Sequence, residues 1–333
     1  MHAIETFGKQ AAFASLRVTP WHNLGTVFDT PVPTEKMLEL SHLGGWNLRL
    51  ADAAETTGVD FARPQQFVMR DNPFTGSPEV LGVVGGRYTL LTNEDAFSFL
   101  SSLTGNLRWE TAGSLKGGTT IFATMADVDE LVLDPSGQAD TIRRYFMITT
   151  SHDGTGQVLI TEVYLRVVCA NTLAVAVANH GPSVRVRHTA KMADRMKAGA
   201  EAIGMLSPHR DAMDDALRAM IETELTKDAF FKIVSKDLIP AKGDSKAAIT
   251  RRENQLDAVM NIWAGGTGGT SNLENNVFKG WQTMNEFNTW GRQARGIDTP
   301  AGQENFFMAV SGLDAATQAD DQFAFNRFLA LTA

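Results

Sequence analysis

His152-Asp153-Gly154 is the step in this sequence where side-chain types alone could support proton transfer or metal binding. An imidazole beside a carboxylate can exchange protons near neutral pH and ligate divalent metals. With Glu162 added, the same residues would make a metal-dependent nuclease site. The plainer alternative is a turn between two strands, in which Asp and Gly supply the backbone geometry. Cys169, the single cysteine, could pair with His152, His180 or His188 as a thiol nucleophile and its base. Its setting, Val167-Val168-Cys169-Ala170, instead describes a small buried hydrophobe. The glycine-rich stretch 265–270 lacks the Lys-Ser/Thr of a phosphate loop and the strand context of a dinucleotide fingerprint, so it is read as a linker. No His-Glu-x-x-His helix, serine elbow or paired-cysteine site occurs. The expectation is a protein that works by binding, not an enzyme, with no cofactor and no resident metal.

Charge is the stronger signal. The net charge is −8, yet residues 141–200 carry eight Lys and Arg against three Asp and Glu, a net of +5, which leaves −13 for the remainder. Arg185 and Arg187 are two apart on an expected strand and project from one face, with Val184 and Val186 on the other. Lys191 and Arg195 continue the charge onto one face of the following helix. Arg143 and Arg166 fall on neighbouring strands close to Tyr145 and Tyr164. Cations beside aromatics suit a groove that follows a phosphate backbone while bases stack. The alternative is a solvated face that pairs with the acidic flanks or with neighbouring subunits.

The elements that must position these residues read as follows. A helix is expected at 34–42 with Thr34 as its cap, a short strand at 46–50, a loop at 51–64 and a hairpin of strands 65–70 and 79–84 about the turn 71–76. Thr92/Asn93 caps a helix bearing Phe97, Leu100 and Leu103. Strands follow at 107–113, 119–127, 143–151 and 157–168, then a helix at 171–179 and a last basic strand at 183–188. Repeated hairpins with few helices predict an α+β class: an antiparallel, hairpin-rich sheet packed with helices. From residue 190 the period changes, with helices expected at 190–224, 226–238, 246–264, 274–294 and 303–331. The chain is thus read as an α+β core over 1–190 and a helical C-terminal half over 191–333, with linkers at 239–245 and 265–272.

Hydrophobic residues at 43% and charged residues at 20% describe a folded chain. No stretch approaches the roughly 18 apolar residues of a membrane span. The first residues carry Glu5 and no long apolar run, unlike a signal peptide. With one cysteine, these features point to a cytoplasmic protein.

Several segments together resemble one family. They are Gly86-Arg87-Tyr88, Asn93-Glu94-Asp95-Ala96-Phe97, Gly117-Gly118 and Ser151-His152-Asp153-Gly154, then Arg166-Val167-Val168-Cys169-Ala170-Asn171-Thr172-Leu173, Arg187-His188-Thr189, and Gly280-Trp281 with Asn285-Glu286-Phe287. This set is similar to the phage/plasmid-like proteins of domain of unknown function 932. The tail departs from the family's Trp-x-x-x-Asn-Ala-x-Thr-Glu-Tyr, reading Trp281-Gln282-Thr283-Met284-Asn285-Glu286-Phe287-Asn288. The resemblance implies a mobile element in a bacterial cytoplasm. Hairpins around a helix with a basic strand–helix junction also resemble, in architecture, the Rad52-like phage single-strand annealing proteins. The function expected is single-stranded-DNA binding in recombination by strand annealing, by a homo-oligomer. Arg143, Arg166, Arg185, Arg187, Lys191 and Arg195 would contact phosphates, and Tyr145, Tyr164 and Tyr88 would stack on bases. The competing expectation is a phage structural or interaction protein that assembles through its helical half without nucleic acid.

Overall fold

The computed structural model describes residues 4–16, 24–102, 107–132, 141–166, 180–204, 207–265, 270, 273–288 and 315–332. Its centre is a run of long antiparallel strands whose alternating apolar residues form the ladder expected from their pattern. These are β8 (Leu107–Leu115), β9 (Thr120–Val132), β10 (Thr141–Ser151), β11 (Val158–Arg166) and β12 (His180–Val186), each paired to the next. The N-terminal segment, with β1 (Thr6–Phe7) and β2 (Gln10–Ala11) paired to each other, contributes β3 (Phe13–Leu16) antiparallel to β8 and β4 (Thr26–Phe28) parallel to β3. Among the described strands the order of this sheet is β12-β11-β10-β9-β8-β3-β4, with β12 at one edge.

A second sheet joins β5 (Arg49–Asp52), β6 (Gln65–Asp71) and β7 (Pro78–Gly85), all antiparallel. The hairpin of β6 and β7 turns at the expected place. The strand expected at 46–50 starts later, because Gly45 and Asn47 take positive φ of 71° and 47°. The expected loop at 51–64 opens with a short helix, α2 (Ala53–Thr57). Asp52 caps it by accepting from the Ala54 and Glu55 amides, and Gly58 ends it at φ 69°. α1 (Thr34–Leu40) is capped at Pro33, with no side-chain hydrogen bond, and not by Thr34. α3 (Asn93–Ser101) has the cap expected, with Thr92 accepting from the Asp95 amide.

One core lies between the large sheet, the small sheet and α1 and α3. It holds Met37, Trp46, Val68, Phe97, Trp109, Phe146, Ile148, Ile160 and Val186. The helix expected over 190–224 is two: α4 (Met192–Gly204) and α5 (Ser207–Glu222). Met192 and Met196 of α4 pack into this first core, just past the 190/191 division expected from the sequence.

A separate apolar cluster is built by α5, α6 (Lys227–Ile233), α7 (Lys246–Trp263), α8 (Val277–Glu286) and α9 (Ala315–Leu329), and it centres on Phe230, Trp263, Phe278, Trp281 and Phe328. α6 widens into one π turn over Val234–Leu238. The expected helix at 171–179 and Cys169 lie outside the described residues. Among the described residues no helix is long and apolar enough to cross a membrane.

Candidate nucleic-acid interface

β12 alternates as its sequence requires. Ser183 and Arg185 are exposed, while Val186 is buried. Val184 meets α4 so closely that a Cβ on Gly199 would come within 2.5 Å of it. Arg185 therefore projects from the face opposite α4. Past the strand the alternation holds, with Arg187 exposed and His188 buried against the first core. On α4 the i, i+4 pair Met192 and Met196 faces inward, which turns Lys191 and Arg195 out to solvent. Residues 185–195 thus display Arg185, Arg187, Lys191 and Arg195 against one exposed acid, Asp194.

The rest of the expected stripe lies elsewhere. Arg185 is in register with Leu159, whereas Arg143 is in register with Leu165 and Arg166 with Ile142. Six residues of β11 separate the two groups, about 20 Å at the usual strand rise. The side chains of Arg143, Glu162, Tyr164 and Arg166 lie outside the described part. Tyr145 is only 8% exposed, sitting between Ala126 and Val163, and so offers no ring face for a base. Tyr88 stacks on His188 with centroids 4.7 Å apart and donates its hydroxyl to the Ser151 carbonyl at 3.1 Å. Tyr145 is thus buried in the sheet and Tyr88 half-buried against His188.

Tyr88 belongs to a junction that sequence reasoning did not assemble. Three segments singled out by type, containing Tyr88, His152 and His188, meet there with Asn93. The His188 ring bonds the Thr89 carbonyl through Nδ1 (3.1 Å) and the Thr150 hydroxyl through Nε2 (3.2 Å). His152 is fully buried, with Nε2 2.9 Å from Asn93 Oδ1 and its ring edge on Trp46. Burial, then the neighbouring His188 and Arg70, push its pKa down to about 3 against a small opposing pull from Asp153. Burial likewise lowers His188, and it raises the Tyr88 phenol, helped by Asp153.

His152 and Asp153 have separate hydrogen-bond partners. Burial alone would raise the Asp153 carboxyl, but hydrogen bonds from Thr155 and Ser151 outweigh it and hold the group low. That carboxylate accepts from the Ser151 hydroxyl (2.7 Å) and the Thr155 amide (2.9 Å), closing the turn expected as the plainer reading. Gly82 of β7 abuts the Asp153 Cα, so the turn is clamped onto the small sheet. Among the described residues no group of three or more His, Cys, Asp or Glu is placed to hold a metal ion.

A second buried network flanks the junction. The Arg70 guanidinium lies 4.1 Å from the Trp46 ring centroid and pairs with Glu5 and Glu79. Glu5 also accepts from the Ser114 hydroxyl at 2.7 Å. The sequence carried no local signal for it, since its members come from four separate segments.

The family model described as "Domain of unknown function (DUF932)" matches residues 80–309, which takes in most of β7, the histidine junction and the β12–α4 corner. No curated protein and no solved structure is significantly similar to the chain.

Proposed function

This chain belongs to the family of domain of unknown function 932, and we propose that it binds single-stranded DNA through phosphate contacts at the β12–α4 corner. The observation that carries the reading is the exposure of Arg185 and Arg187 at the end of β12 and of Lys191 and Arg195 at the start of α4 just after it. Guanidinium and ammonium groups displayed this way neutralise phosphates and release counterions. With Tyr88 and Tyr145 engaged in the fold, the binding is dominated by the backbone and blind to sequence. That suits strand annealing, which needs no covalent step. In this reading a homo-oligomer in the bacterial cytoplasm repeats the corner along one strand, so that modest contacts add up. Arg143 and Arg166 form a second contact point further along the sheet.

The test is fluorescence anisotropy of a labelled single-stranded oligonucleotide, beside the matching duplex, at two salt concentrations. Tight, strand-selective binding that weakens with salt is expected, and Arg185→Glu with Arg187→Glu abolishes it. Absence of binding at low salt sinks the proposal. The competing reading, assembly through protein contacts of the helical half, is favoured by Phe231, Ile249 and Phe323, which are 42–55% exposed on α6, α7 and α9. It predicts self-association that DNA does not alter, measured by sedimentation.

A further inference from the structure

The corner that displays the cations is short and lies at a sheet edge, where a strand end frays unless something holds it. Its anchors are visible. Between exposed Arg187 and exposed Lys191, His188 is 7% exposed, and both its ring nitrogens find partners within the fold. Its Nδ1–H donates to the Thr89 carbonyl, which leaves Nε2 to accept from the Thr150 hydroxyl. One ring face stacks on Tyr88, and the His188 carbonyl accepts from the Thr89 amide at 3.2 Å. Two short backbone bonds then carry the chain into α4, from the Thr189 amide to the Arg187 carbonyl (2.8 Å) and from the Met192 amide to the Thr189 carbonyl (2.7 Å).

We infer that His188 is the positioning residue of the phosphate-binding corner, holding Arg187 and Lys191 outward in fixed relation by its bonds to Thr89 and Thr150. The inference rests on the DNA-binding reading. His188 itself touches no DNA. Its two ring nitrogens have different partners, so they can be replaced separately. An Asn side chain places its amide near the Nδ1 position and keeps the Thr89 bond. Thr150→Val removes only the Nε2 bond.

The experiment measures affinity for a labelled single-stranded oligonucleotide across a salt series, for the wild type, His188→Ala, His188→Asn and Thr150→Val. Circular dichroism confirms that each is folded. If the corner loosens, Arg187 and Lys191 both leave the phosphates, and the slope of log K against log salt shrinks by about 1.4, or about 0.7 per contact on a single strand. His188→Ala is expected to show that smaller slope with an affinity loss of about tenfold or more at low salt. His188→Asn recovers most of both, and Thr150→Val lies between. Limited trypsin digestion gives a readout without DNA: His188→Ala is cut faster at Arg187 and Lys191 than the wild type.

Wild-type slope and affinity in His188→Ala overturn the positioning role while leaving the DNA reading intact. A smaller slope that His188→Asn fails to restore overturns it too, because the ring then acts only as bulk. If His188→Ala does not fold, Thr150→Val carries the test alone, and a wild-type slope in it is the refuting result. No binding by the wild type overturns the DNA reading and the inference with it.

Discussion

His152 Nε2 stands 2.9 Å from Asn93 Oδ1, while Asn93 Nδ2 donates to the Leu43 carbonyl at 2.8 Å. The second bond fixes the asparagine's orientation, so its Oδ1 faces the ring and His152 must carry its proton on Nε2. Nδ1 is then a bare acceptor, buried with no hydrogen-bond partner among the described residues. A second proton there would be a buried charge facing His188 and Arg70.

That arrangement predicts acid sensitivity. The folded-state pKa of His152 is about 3 against 6.5 for the free side chain. Above pH 6.5 both folded and unfolded chains hold it neutral. Below that, the unfolded chain takes the proton first, so stability is lost as pH falls from about 6.5 toward 3. One proton corresponds to about 1.4 kcal/mol per pH unit. Urea unfolding at pH 7, 5.5 and 4.5 should show this slope. His152→Gln, which keeps a donor toward Asn93, is expected to flatten it by one proton.

Arg70 carries the largest stability expectation. Its side chain is 1% exposed and neutralises Glu5, itself 7% exposed. Arg70→Met leaves the Glu5 carboxylate buried and uncompensated, a loss of about 3–5 kcal/mol. Pairing it with Glu5→Gln should recover a large part in a double-mutant cycle read by chemical denaturation. Additive losses would show that the two residues are not coupled.

Gly82 is tested by a single methyl group. A Cβ there meets the Asp153 backbone, which belongs to another hairpin and cannot swing aside. Gly82→Ala is expected to cost about 1–3 kcal/mol through overpacking. Gly85, whose Cβ would meet nothing within 4 Å, serves as the control. Comparable melting temperatures for the two alanine variants would argue that the clamp is absent.

Asn285 gives a prediction of opposite sign. Its carboxamide is fully buried on α8, and among the described residues neither Oδ1 nor Nδ2 has a hydrogen-bond partner. Burying an unsatisfied amide costs free energy that an apolar side chain of similar size does not. Asn285→Leu is therefore expected to unfold within about 1 kcal/mol of the wild type or above it. A clear loss in melting temperature would mean that the amide is used.

What the sequence made legible was local. Alternation over 143–151 and 157–168 places β10 and β11, and turn residues at 71–76 place the β6–β7 hairpin. The cap at Thr92 marks its helix start. Asp52 and Gly58 were equally good punctuation for α2, but the polar stretch between them showed no apolar period to frame. Arg185 and Arg187 followed from spacing alone.

The surroundings of Tyr88 and Tyr145 did not, because they depend on strand register and on what packs over each strand, and neither is written nearby. The same holds for His188, whose partners Thr89 and Thr150 lie 99 and 38 residues away.

β3 pairs with β8 through Phe13 and Gly113, across a hundred residues of chain. Closing so long a loop is entropically slow compared with the neighbouring hairpins of β8 to β11. On the ribosome, Phe13–Leu16 has β4 within reach on one side but must wait for its other partner until β8 has been made and has emerged. β3 is therefore completed late, and a chaperone that shields the nascent chain would act on Ala11–Leu16, the run that the finished protein buries along its sheet.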